Sequence, residues 1–441
     1  MKERRKKMNK WKRVAALALA GVTALGMTAC GGNTGGGSDA AANGAAGSSD
    51  GTGELTVAIW DTYQEPGLKT IMEGFTEETG IQVKLQVTPW DQYWTMMEAG
   101  ATGGTLPDVF WMHSNQVAKY AEYDLLLDLS DKIAASEITQ MDKFPKELVE
   151  LYQNKDGKQV AIPKDVDTVA LWYNKTAFDE ASLSYPDETW TWDTFREAAK
   201  TLTKEDGSQY GTVLNPKSNQ ETYYNLIYDW GGTIISDDKK TSGWDNPKTI
   251  EAMEYIEDLI ADGSMPPYTT IAENEALALF ESGKVAMCMF GSWQSDLFSN
   301  EYVKENCDVA VLPTKDGNRI SIYNGLSWAA AAEGSNTEAA WKLLEYLGSE
   351  AAQKQQADLG VTMSAYEGTS GGFVEKSENF NLQAYVDMME QTVLRPYSMD
   401  TVVWENMSQE KLVNAWNGTS SMADVCKEIA ASMNESLQSE Q

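Results

Sequence analysis

Residues 54–60 (ELTVAIW), 81–88 (IQVKLQVT) and 107–112 (PDVFWM), separated by amphipathic stretches at 65–79 and 91–101, decide how this chain folds. The first run is rich in β-forming residues, the second alternates apolar with polar residues, and the third is apolar behind a proline. Each reads as a strand. The stretches between them have helical spacing and stop at Gly80 and at Gly103-Gly104. Strand, helix, strand, helix, strand predicts an α/β fold built on a parallel sheet with helices on its faces. Ligands of such sheets bind beyond the carboxyl ends of the strands, which here aligns Trp60-Asp61, Trp90 and Trp111-Met112-His113 along one rim.

Further along, 154–157 (NKDG) is a hairpin turn signal, and 160–175 (VAIPKDVDTVALWYNK) reads as two extended segments interrupted by Pro163. Residues 191–203 (TWDTFREAAKTLT) open with helix-capping chemistry, and Asn246-Pro247 starts a longer helix ending at Gly263. Residues 276–282 read as helix, 284–290 and 308–312 as strands, 336–346 as helix, and 382–437 as mainly helical.

The chain starts with eight Lys/Arg and one Glu within residues 2–13, followed by an apolar run to Ala29 too short to span a bilayer comfortably. This predicts a secretion signal over 1–29. Residues 27–31 (MTACG) resemble the lipobox of bacterial lipoproteins, which would make Cys30 a lipidated first residue; a plain secretory signal is the alternative. Residues 30–53 are mostly Gly, Ser and Ala with almost no bulky apolar side chain, the composition of a flexible tether. The expected location is extracytoplasmic, on the cell membrane through the lipid anchor alone.

The 441-residue chain has formal charge −31, and its basic residues are concentrated in the leader, so the body is more acidic still. Such a field opposes nucleic acid and anionic lipid and favours a solvated monomer. Beyond the leader the only arginines are Arg196, Arg319 and Arg395, which disfavours a phosphate or carboxylate ligand, because those groups are usually held by guanidinium forks. Fifteen Trp and 19 Tyr suit a neutral, polyhydroxylated ring, although aromatics are also ordinary core material. Cys288, Cys307 and Cys426 show no metal-ligand spacing and read as buried thiols, with a Cys288–Cys307 bridge left open. His113 is the single histidine, which argues against metal and triad chemistry. No metal and no cofactor are expected.

The order of segments resembles the family-1 extracellular solute-binding proteins of bacterial ABC importers, the group that includes maltose-binding proteins. The carriers are 106–109 (LPDV), 127–130 (LDLS), 157–175, 191–195 (TWDTF), Gly231-Gly232, 280–293 (FESGKVAMCMFGSW), 309–313 (VAVLP) and 339–347 (AAWKLLEYL). The resemblance implies a two-lobed fold of the type II periplasmic-binding-protein kind, each lobe a mainly parallel sheet flanked by helices. It places residues 54–163 plus 314–360 in the N-terminal lobe and 164–313 plus 361–441 in the C-terminal lobe. The three hinge crossings then fall near residues 162–164, 312–314 and 358–362. It implies a ligand held between the lobes, here a mono- or oligosaccharide, and a closed form recognised by the permease subunits.

Carried over by position, Asp61, Trp111, His113, Asn115, Asp167, Trp293 and Trp404 are ligand-binding candidates. Trp60, Trp90 and Tyr93 join them from their places after strands, and Asp165, Asn215, Trp230, Tyr323 and Arg395 complete the set. The chemistry fits, since a pyranose pairs apolar C–H faces with a rim of hydroxyls that carboxylates hold strongly. Core burial and helix capping compete for several of these residues, and Asp108 reads as serving the turn after Pro107. Residues 368–372 (GTSGG) match a nucleophile-elbow pattern without the strand and helix it needs. The expectation is a binding protein without catalysis. A secreted glycoside hydrolase is the enzyme rival, because carboxylates and aromatic platforms serve hydrolysis as well; a polyol or peptide is the other possible cargo.

Overall fold

A computed structural model of the chain describes residues 53–377 and 379–440, so the leader, Cys30 and nearly all of the tether lie outside the described residues. The three opening runs form β1 (Leu55–Ile59), β2 (Val83–Val87) and β3 (Val109–Met112). The helices between them are α1 (Glu65–Thr79) and α2 (Trp90–Gly103), and α3 (Ser114–Glu122) follows β3. Gly80 ends α1 at φ 76°, where its amide reaches the Thr76 carbonyl, a conformation that suits a residue without Cβ.

The remaining strands are β4 (Ala161–Pro163), β5 (Val169–Asn174), β6 (Tyr210–Val213), β7 (Val285–Gly291), β8 (Cys307–Ala310), β9 (Ser321–Tyr323), β10 (Ser327–Ala330) and β11 (Thr392–Leu394). One sheet runs β2-β1-β3-β10-β4 and a second β6-β7-β5-β8, with a two-stranded β9-β11 ribbon beside the latter. The sheets are mixed rather than mainly parallel. β1 pairs in parallel with β2 and β3, but β10 is antiparallel to both β3 and β4, and β5 is antiparallel to both β7 and β8. The strands that carry the chain across cause this, β10 entering the first sheet from the second and β5 entering the second from the first, and local periodicity does not encode the direction of their insertion.

Asp108 ties the first sheet together, accepting from the Thr56 amide and hydroxyl through Oδ2 and from Asn336 Nδ2 through Oδ1. Thr191 caps the helix Trp192–Leu202 and Asn246 caps Pro247–Ala261, as the sequence requires. The cysteines Cys288, Cys307 and Cys426 are free and buried. No helix among the described residues is long and apolar enough to cross a membrane.

Three strands of chain connect the sheets and pair with one another. Asp165 bridges Ser364, Asp167 bridges Asn324, and the Lys164 amide donates to the Leu326 carbonyl. The middle connection therefore falls at residues 324–326, later than the 312–314 read from sequence. The reason is β9, which pairs with β11, packs on β5, and receives the Asn225 side chain at its Ile322 amide. Residues up to Tyr323 thus remain with the second sheet, and β10 is the first element back in the first.

Candidate functional site

Between the two sheets lies a cavity of about 290 Å³ lined by Trp60, Asp61, Gln64, Trp90, His113, Asp165, Asp167, Leu326, Thr362, Trp293 and residues 218–221. The first sheet contributes the aromatic wall. Trp60 follows β1, and its ring lies 5.0 Å from Trp90, 5.0 Å from Tyr93, 5.9 Å from Trp94 and 4.8 Å from Trp111. The contacts with Trp90, Tyr93 and Trp111 are edge-to-face and fix the indole in one orientation. Trp90 opens α2 and keeps 39% of its surface exposed, which makes it the most accessible ring of the wall.

Asp61 both faces the cavity and holds its own turn. Its Oδ1 accepts from the Tyr63 and Gln64 amides, and its Oδ2 accepts from Gln64 Nε2. Gln64 Oε1 in turn accepts from the fully buried Lys164, whose ammonium also pairs with Asp165 at 2.7 Å and sits 4.7 Å above the Trp111 ring. Asp165 Oδ1 accepts from the Leu326 amide. Its carboxylate is thereby occupied on both oxygens by the hinge.

The facing wall is a π-helical turn, Asn219–Tyr223, capped by Ser218. Turns with this wider winding push backbone and side chains out of regular register, and they recur at functional sites. Gln220 Nε2 donates to Asp167 Oδ1 at 2.7 Å, and Glu221 Oε1 accepts from the Gly291 amide and from Gln294 Nε2. Burial, assisted by the neighbouring Asp165 charge, raises the Asp167 pKa well above the usual carboxylate range. His113 is half-buried, and burial, with Arg395 nearby, lowers its pKa to about 3, so its ring is neutral. No lysine or arginine lines the cavity.

A model of the family described as bacterial extracellular solute-binding protein matches residues 60–354. The chain belongs to that family. It is 26% identical over 323 residues to a galactooligosaccharide-binding protein of Bacillus subtilis, covering 70% of this chain and 72% of that one. A diacetylchitobiose-binding protein of Streptomyces coelicolor is 24% identical over 335 residues, covering 75% and 76%. Among solved structures, an ABC substrate-binding protein of Listeria monocytogenes in complex with cycloalternan matches with a TM-score of 0.81 at 22% identity, over 87% of this chain and 99% of that one. The acarbose-binding GacH receptor of Streptomyces glaucescens gives 0.77 at 21%, over 88% and 100%. These likenesses identify the two-lobed fold.

In this solute-binding protein, seven sequence candidates meet at the cavity: Trp60, Asp61, Trp90, His113, Asp165, Asp167 and Trp293. The other eight do not line it. Trp111 is fully buried on β3 beneath Trp60, and Tyr93 is fully buried with its hydroxyl donating to the Trp111 carbonyl. Both support the aromatic wall from behind, Trp111 from β3 and Tyr93 from α2, each with its ring packed against Trp60. Trp230 packs on Trp192 and Tyr255 within the second lobe. Trp404 is fully buried and donates Nε1 to Ser398 Oγ. Tyr323 is buried on β9, and Asn215 serves a turn by accepting from the Lys217 amide.

Asn115 and Arg395 belong to a buried polar cluster outside the cavity, centred on Glu405, which sequence reading missed. Glu405 Oε2 accepts from Asn115 Nδ2 at 3.1 Å. Its Oε1 accepts from Asn219 Nδ2 at 2.9 Å and Tyr224 Oη at 3.3 Å, and pairs with Arg395 Nη2 at 2.7 Å. Asn115 lies in the first turn of α3 beside the first sheet, whereas the other partners belong to the second-lobe side, so Glu405 joins the two halves behind the cavity wall. Gln64, Leu326, Thr362 and residues 218–221 were also missed as lining residues. Only the last group carried a usable signal, a polar run (SNQE) directly after a strand and turn.

Proposed function

We propose that this chain captures a neutral carbohydrate between its lobes and delivers it unaltered to the permease of an ABC importer. The observation that carries the reading is the composition of the cavity. Three indoles (Trp60, Trp90, Trp293) and four carboxyl side chains (Asp61, Asp165, Asp167, Glu221) line it, with amide donors between them and no cationic side chain. Flat rings take the C–H faces of a sugar, and carboxyl and amide groups hold its hydroxyls with strong, directional bonds. A phosphorylated or carboxylated ligand would find no cationic side chain in the lining to offset its large desolvation cost. The galactooligosaccharide and diacetylchitobiose specificities named for its relatives agree with this cargo class.

On this reading residues 53–163 and 327–360 form one lobe, and 169–323 with 365–440 the other. Rotation about the paired connections opens and closes the cavity. The protein works as a monomer held outside the cytoplasm by lipid on Cys30, and performs no catalysis.

Titration with a panel of mono- and oligosaccharides tests the proposal. One sugar should shift tryptophan emission saturably and raise the melting temperature, by about 2.7 kcal/mol of stabilisation at a hundred times Kd. Trp293→Ala and Asp167→Asn should weaken that binding while the protein stays folded. Absence of any response at millimolar sugar overturns the carbohydrate reading, and release of cleaved product from the bound oligosaccharide overturns the non-catalytic one.

A further inference from the structure

Three residues that line the cavity, His113, Asn219 and Gln220, belong to a closed ring of hydrogen bonds. His113 Nδ1 lies 2.8 Å from Asn115 Oδ1, and Asn115 Nδ2 donates to Glu405 Oε2 at 3.1 Å. Asn219 Nδ2 donates to Glu405 Oε1 at 2.9 Å, and Asn219 Oδ1 accepts from the Gln220 amide at 2.7 Å. Asn324 Nδ2 closes the ring, 3.3 Å from Gln220 Oε1 and 3.5 Å from His113 Nε2. His113 and Asn115 follow β3 of the first sheet, Asn219, Gln220 and Glu405 stand on the side of the second, and Asn324 sits on the middle connection. We propose that the Asn115–Glu405 bond is a latch that holds the lobes closed and thereby positions the ligand-facing side chains of His113, Asn219 and Gln220.

The distribution of partners at Glu405 supports this. Arg395, Asn219 and Tyr224, all from its own side, go to Oε1, whereas Asn115 is the only partner of Oε2 among the described residues. One carboxylate oxygen is therefore given over to the other lobe. The ion pair with Arg395 makes the latch a hydrogen bond to a charged acceptor, roughly twice as strong as a neutral one. Asn115 and Glu405 are both buried, so water does not compete for the bond. The helix Thr401–Trp416, which carries Glu405, packs directly on α3. Any rotation that opens the cavity separates these two helices and breaks the bond. A ligand entering the latched form meets amides already aligned, and its apparent affinity scales with the fraction of molecules closed. Asn115 and Glu405 line no part of the cavity and act as positioning residues.

The inference rests on the lobe rotation described above and needs no assumption about the cargo. Small-angle X-ray scattering of the full chain without added sugar reads it directly, on the wild type, Asn115→Leu and Asn115→Asp. The first variant removes the bond and the second sets another carboxylate against Glu405. Both should enlarge the radius of gyration, the second more, while urea unfolding stays a single cooperative transition. The titration probes are maltotriose, β-1,4-galactobiose and N,N′-diacetylchitobiose. Any of them that binds the wild type should bind Asn115→Leu about tenfold more weakly, the worth of one hydrogen bond to a charged group, with most of the loss in faster dissociation. An unchanged radius in both variants, an enlargement accompanied by loss of the cooperative transition, or an unchanged dissociation rate would overturn the latch. Enlargement in both variants with no response to any of the three sugars would support the latch and count against the carbohydrate reading.

Discussion

Replacing Glu405 by Ala should be among the most destabilising single changes in the second lobe. The side chains of Glu405 and Arg395 are each 5% exposed and lie 2.7 Å apart. Arg395 Nε and Nη1 have no hydrogen-bond partner among the described residues, so Glu405 supplies the compensating charge for the whole guanidinium. The same carboxylate satisfies Asn115, Asn219 and Tyr224. Removing one partner of a buried pair strands the other, at a cost of about 3–5 kcal/mol, whereas replacing both with apolar side chains of similar volume is often close to neutral. For a lobe of this size each kcal/mol lowers Tm by about 2–4 °C, giving a fall of roughly 10 °C for Glu405→Ala. Urea unfolding followed by tryptophan emission, with calorimetry, should show this loss and a smaller one for Arg395→Met/Glu405→Leu. A loss under about 1 kcal/mol in the single variant, or a double variant less stable than the single, would refute the reasoning.

Gly291→Ala should weaken ligand binding about as much as Trp293→Ala, because a Cβ at 291 would lie 2.1 Å from the Trp293 ring and force it from the cavity wall; an unchanged Kd by calorimetry contradicts this. Burial pushes the Asp229 carboxyl up to about 8 despite hydrogen bonds from Trp192 Nε1 and the Ile320 amide. The folded protein then keeps a proton that the unfolded chain releases above about pH 4, so the stabilising neutral form is fully present below pH 4 and its contribution is lost as pH rises toward 8. Between pH 5 and 7 the stability of the wild type relative to Asp229→Asn should therefore fall by about 1.4 kcal/mol per pH unit, and parallel denaturation curves would disprove it. His113, the single histidine, is held neutral with its pKa lowered to about 3, so its imidazole NMR signals should not move between pH 8 and 5 in untagged protein; a midpoint near 6.5 would mean that the ring is solvated.

The resemblance and the strand-helix alternation of the first 60 body residues foretold the α/β lobes because their signals are local: periodicity, capping residues and glycine stops. Thr191, Asn246 and Gly80 each behave as their chemistry dictates. Rim residues directly after β1 and β7, such as Trp60, Asp61 and Trp293, were legible for the same reason, since the end of a strand is readable from its own sequence. Trp111 and Trp404 were not, because an aromatic residue that lines a cavity and one buried elsewhere in a lobe are the same residue type and differ only in where the fold points them.

Composition and pattern alone determined an acidic, arginine-poor chain rich in indole and divided into α/β units, since these follow from residue counts and nearest-neighbour spacing. Tertiary structure decided the mixed strand directions, the crossing at 324–326, the π-helical turn opposite Trp60 and the joining of Asn115 to Glu405 across 290 positions. Each of these depends on segments far apart in the chain meeting at one interface, where buried charge must find a partner. That requirement acts on the folded whole and leaves little trace in any local stretch of sequence.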